Sequence, residues 1–233
     1  LRNPVLCTDN RIRELIPQEL LDCRQAIRFA LEKLRLQQVE TSWTDAGAVA
    51  PVEWSTQEDP DWAGGTIFKD DRRILVKCPA EKLWPAVIGI GGKTGWYYAD
   101  WLWHLRGWMD RLLGGPGLGR GRRDPAKVQV GDALDFWRVL AVEPGHRLKL
   151  VAEMKLPGEA VLELVLTECA DGTTEVRQYA RFKPRGLLGL LYGYSVLPFH
   201  NLVFVGMLKG IAMASAADIV SGPTIIQPEG KRH

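Results

Sequence analysis

The chain has 233 residues, 46% hydrophobic and 25% charged, with a formal net charge of +2. That length holds one large domain or a domain with an appendage, and the composition is ordinary for a soluble globular protein. Such a charge gives no global drive toward nucleic acid or an anionic membrane; four scattered cysteines (Cys7, Cys23, Cys78, Cys169) without a CxxC pair argue against a zinc site or a secreted disulfide scaffold and favour a cytoplasmic setting. No charged segment followed by an apolar one opens the chain, so no signal peptide is expected. The first residue is Leu, so the sequence reads as a piece of something longer.

In chain order, Pro17 stands where a helix can start. Ile16, Leu20, Cys23, Ile27, Leu31 and Leu34 then recur at helical spacing, which predicts an amphipathic helix. Val39–Trp43 suits a short strand. Residues 48–65 lack periodicity and are read as a linker, with Trp54 and Trp62 as anchors. The main domain is expected over 66–217. Ile67–Lys77 reads as a strand, Pro79–Ile88 as a short helix and Tyr97–Leu113 as a longer one. On the last, Trp101, Leu105 and Trp108 are assigned to the core. Strands follow over Asp132–Val142, Arg147–Leu156, Ala160–Glu168 and Thr174–Phe182, with turn residues at each joint. Their alternation leaves one face apolar and one wet, as in an antiparallel sheet packed on one side.

From Leu187 to Leu208 the chain carries no formal charge, nominally enough to span a bilayer. Pro198, His200 and Asn201 interrupt it, so the reading is a strand end, a turn, and a buried helix from about Pro198 to Ala217. Residues 218–233 are expected to be a disordered tail. The fold class is therefore α+β of the helix-grip kind: a curved antiparallel sheet around a C-terminal helix, with an extra N-terminal helical segment and a cavity between sheet and helix.

The segments GWYYADWLWHLRGWMDRLLGG, GRGRRDP, VGDALDFWRV, EMKLPGEAVLE, FKPRGLLGLLYGY and PFHNLVFVGM resemble an uncharacterised bacterial family. Its domain is commonly fused behind an atypical NmrA-like short-chain dehydrogenase and is similar to the START/polyketide-cyclase (Bet v 1-like) superfamily. Residues 1–47 resemble the C-terminal part of such a dehydrogenase. The resemblance implies a hydrophobic-ligand pocket here and NAD(P) in an upstream half, with no cofactor in this segment. It supplies no catalytic residues.

Several residues qualify as site candidates. Gly89–Gly95 (GIGGKTG) invites a nucleotide reading, but Val87 stands where the phosphate-loop pattern needs its first Gly, and a helix-ending turn fits better. Trp96, Tyr97 and Trp103 either line a pocket mouth or pack as core. Arg120 and Arg122, beside Arg123 in a Gly-rich loop, either clamp an anion or pair with Asp124 and Asp132. Arg138 and Gln178 fall on apolar strand faces and either orient a ligand or are satisfied core groups. Met154, Tyr192, Tyr194 and Phe204 complete the expected lining. His200 has no His or Cys at metal-ligand spacing, so no metal site is expected; it reads as a hydrogen-bonded core histidine, with acid–base work as the alternative. The leading function is binding a hydrophobic or aromatic small molecule. The alternatives are a cyclase, dehydratase or isomerase, and peripheral membrane association through GLLGLLYGY, exposed tryptophans and the arginine loop.

Overall fold

The computed structural model describes residues 11–17, 21–35, 66–112, 114, 115, 117, 124 and 127–226. The expected strand at 39–43, the linker, Trp54, Trp62, Arg120, Arg122 and Arg123 lie outside these residues. The chain divides into two compact units, Leu1–Glu40 and Thr41–His233.

The first unit carries α1 (Ile12–Leu15) and α2 (Cys23–Arg35). The long helix starts at Cys23, not at Pro17, because Asp22 and Gln25 form a capping box. The Gln25 N–H donates to Asp22 Oδ1 at 2.7 Å and the Asp22 N–H to Gln25 Oε1 at 3.1 Å. Two N–H groups at the helix start are thereby satisfied, whereas Pro17 has no side-chain acceptor.

The second unit opens with β1 (Phe68–Lys77), α3 (Ala80–Ile88) and α4 (Asp100–Leu112). It continues with β2 (Ala133–Leu134), β3 (Trp137–Glu143), β4 (Arg147–Ala152), β5 (Gly158–Glu168) and β6 (Thr174–Pro184). It ends with α5 (Gly186–Ala214) and β7 (Asp218–Ile225). One seven-stranded sheet runs β2-β3-β4-β5-β6-β1-β7, and every neighbouring pair is antiparallel. Consecutive hairpins build β3 to β6. Gly145 and Gly172 reverse two of them at φ 74 and 76, a region open to Gly without a Cβ clash. β1 joins β6 on the far side, Phe68 opposite Phe182.

The strand alternation decides the layers. Leu148, Leu150, Leu162, Leu164, Leu166 and Val176 point inward and are at most 2% exposed. They meet Ile74 and Val76 of β1, Leu83 and Val87 of α3, and Phe204, Met207, Leu208 and Ile211 of α5. Each such side chain contributes about 1.5–3 kcal/mol by leaving water. The opposite face holds ion pairs, among them Arg147 with Glu163 at 2.5 Å and Arg73 with Glu175 at 3.4 Å.

Three expectations need correction. The strand expected over Asp132–Val142 is broken at Asp135, whose φ of 56 turns the chain into the β2–β3 hairpin. The apolar stretch is a single 29-residue helix, α5, with Pro198 inside it. By length and composition α5 could cross a membrane, yet Val203, Phe204, Met207, Leu208, Ile211 and Ala212 are buried in the core. Finally, residues 218–225 are a strand, not a tail. At the end of α5 the Ala217 N–H donates to Ala212 O at 2.9 Å, with Ala216 at φ 50, a left-handed stop that sends the chain back along β1.

Candidate functional site

The inward positions of the sheet are not uniformly large. Toward one end, Ala152 of β4, Ala160 of β5 and Ala180 of β6 replace the leucines of the core. The space they leave, roofed by α4 and the first half of α5, is a cavity of about 540 Å³. Its walls include Trp103, Trp137, Met154, Tyr192, His200 and Phe204. That volume lies in the range of small-molecule sites.

α4 presents Trp103 to the cavity because its inner face is Trp103, Gly107 and Asp110. Asp110 is 5% exposed and fixes this rotation. It accepts from the Gly117 N–H and the Lys155 N–H, each at 2.8 Å. The expected helix face is therefore reversed: Trp101, Leu105 and Trp108 are exposed. Both stripes of α4 are aromatic, so spacing alone could not choose between them.

Some polar groups of the wall residues are unpaired. Trp103 Nε1, Trp137 Nε1, Tyr192 Oη and His200 Nδ1 are buried without a hydrogen-bond partner. Arg106 donates from Nε to Met154 Sδ at 3.0 Å, and its guanidinium lies 5.2 Å from the centre of the Tyr192 ring. Burial holds the His200 imidazole below its ordinary range, against the pull of Asp70; Arg106 and Arg72 push the same way as burial. Asp70 Oδ2 is 3.8 Å from His200 Nδ1, outside hydrogen-bond range. Both Asp70 oxygens accept from Arg72, at 2.6 and 3.1 Å. The site thus offers a histidine but not a histidine–carboxylate dyad.

The cavity brings together Trp103, Met154, Tyr192, His200 and Phe204 of the expected set. Five others lie elsewhere. Trp96 is buried beneath the wall, stacked on Trp103 at 4.8 Å, with its Nε1–H on Asp135 Oδ2 at 3.1 Å. Tyr97 donates its hydroxyl to Ala86 O at 2.8 Å. Arg138 donates to both Glu153 oxygens, at 2.9 and 3.0 Å, and to Gly131 O at 2.8 Å, so it is a core ion pair. Tyr194 is 64% exposed and meets Phe68 edge-on. Gln178 is fully buried beyond the cavity lining, with neither amide atom paired. Arg120 and Arg122 lie outside the described residues.

Trp137 and Arg106 were not anticipated. The turn at Asp135 resets strand parity and aims Trp137 inward, a change no periodicity reveals. The Gly89–Gly95 run is the expected helix-ending turn: the Gly89 N–H closes α3 on Pro85 O, and Gly91 bridges Gly95. The Gly92 N–H meets the Asp135 carboxylate at 3.1 Å, which would repel a phosphate.

An antiparallel sheet wrapped on a long helix, two short helices between its first strands, and a hollow between the layers define an α+β helix-grip domain. The chain belongs to the family described as protein of unknown function (DUF2867), whose pattern matches residues 62–207. No curated protein matches it. Among solved structures, it is similar to a conserved protein from Geobacillus kaustophilus (14% identity, TM-score 0.37, covering 64% of this chain and 95% of that one). It is also similar to an HSP90 activator from Plasmodium falciparum (10% identity, TM-score 0.36, 66% and 99%) and to Ara h 8.0201 (13% identity, TM-score 0.36, 65% and 99%).

Proposed function

We propose that the cavity binds a small molecule with an apolar body and a hydrogen-bond-accepting head, such as a carbonyl or carboxylate. The observation that carries this is the wall itself. It is built mainly of apolar side chains, and among them the Arg106 guanidinium, beside the Tyr192 ring, is a charged donor. A ligand's carbonyl or carboxylate would accept from that guanidinium, a pairing stronger than one between neutral groups. The acid–base alternative has no comparable support, because Asp70 is committed to Arg72.

The finer reading places this domain beside an NAD(P)-dependent short-chain dehydrogenase, to which it presents substrate or from which it shields product. It rests on the resemblance of residues 1–47. The sheet is antiparallel throughout, without the parallel βαβ unit that cradles a dinucleotide. This reading assigns NAD(P) chemistry to a separate domain.

Titration with 8-anilinonaphthalene-1-sulfonate, which has an aromatic body and an anionic head, tests the cavity. The native protein should bind it with one site, and Ala180→Phe, which fills the hollow, should weaken binding at least about tenfold while keeping the fold. Equal binding by both proteins would refute the cavity as the site. Matched aliphatic acids and alkanes then test the head: the acid should bind tighter.

A further inference from the structure

The surface around the cavity mouth differs from an ordinary protein exterior. On α4, Trp101, Trp108 and Leu112 are 65%, 58% and 67% exposed. On the first half of α5, Leu187, Leu188 and Leu191 are 75%, 75% and 63% exposed. Soluble monomers rarely expose so many large apolar side chains together. The surface and the cavity are continuous: Leu105 and Met109 of α4 and Leu197 and Phe199 of α5 line the hollow and are also exposed.

Charge indicates what covers this face. α5 contains no acidic residue along its 29 positions. The two acids of α4 are turned back onto backbone: Asp100 accepts from the Trp96 N–H at 2.8 Å, and Asp110 is buried on Gly117 and Lys155. The charged side chains that α4 adds are Arg106 and Arg111. Arg185, immediately before α5, has a side chain 80% exposed even while paired with Glu159 at 3.3 Å. A second copy docked here would set cations against cations and seal the mouth. An anionic lipid surface satisfies both halves of the pattern: acyl chains meet leucines, tryptophans sit at the boundary, and headgroups meet guanidinium groups.

We propose that α4 and the first half of α5 form a docking surface for an anionic membrane, lying in its interface with the cavity mouth turned toward lipid. The helix pair does not span the bilayer, because the second half of α5 is locked in the core. Docking is independent of what fills the cavity, so Ala180→Phe should bind membranes like the native protein.

The test is co-sedimentation with phosphatidylcholine vesicles, with and without phosphatidylglycerol. Binding is expected to the anionic vesicles, to weaken with added salt, and to fall about tenfold in the double variant Leu187→Glu/Leu191→Glu. Trp101→Ser/Trp108→Ser is a second variant expected to lose binding, and circular dichroism melts confirm that both variants fold. Failure of the native protein to sediment with anionic vesicles would overturn the proposal, as would retention of binding by both folded variants. A dimer seen by light scattering and dispersed by Leu187→Glu/Leu191→Glu would instead assign the face to a second copy, and would also overturn it.

Discussion

His200 shows how position sets the behaviour of one side chain. It lies at the boundary between cavity and core, and burial lowers its pKa below 6.5. The unfolded chain therefore binds the proton first as pH falls, so stability drops once pH passes below 6.5 and continues to drop through the folded-state value. His200→Gln should flatten this part of the profile in thermal melts across about pH 5 to 7. Asp71, whose carboxyl burial raises, has the opposite sign in a more acidic range. Arg138 makes a different prediction. Arg138→Met removes the guanidinium from the half-buried Glu153 and should cost about 1–3 kcal/mol in denaturant unfolding, whereas adding Glu153→Leu should recover part of it.

At the scale of elements, α5 depends on its glycines for contact. A Cβ at Gly210 would stand 2.3 Å from Tyr97 Cβ, and one at Gly206 would stand 2.0 Å from Tyr98 Cγ. Tyr97 cannot retreat, because its hydroxyl is tied to Ala86 O. Gly210→Ala should therefore lower stability by about 1–3 kcal/mol despite the better helix propensity of Ala, measurable as a lower Tm. The strands were legible in the sequence because one wet and one apolar face leave a two-residue rhythm, seen at Leu148–Leu150 and Leu162–Leu166. The helices were less so. Pro198 suggested a break, yet it lies on an exposed side of the helix, which continues through it. The orientation of α4 was hidden because it is set by one buried acid, Asp110, one of whose partners, Lys155, lies on a distant part of the chain. Of the cavity, Trp103, Met154, Tyr192, His200 and Phe204 were anticipated. Its volume was not, because it comes from three alanines on three strands that only the register brings side by side.

For the molecule as a whole, the strand after the helix matters most. β7 covers the outer edge of β1, pairing Arg72 with Ile225 and Lys77 with Asp218. Removing residues 218–233 would bare that edge, which carries Ile74 and Val76 of the core. The truncated protein is expected to melt lower and to aggregate on heating, measurable by light scattering. The same strand would constrain how a ligand of the proposed kind moves. Because α5 is stitched to the sheet through β6 at one end and β7 at the other, it cannot swing aside like a door. Entry and exit of such a ligand would instead go through the flank where α4 lies, so its rate of exchange should follow the breathing of that shorter helix rather than any unlatching of the longer one.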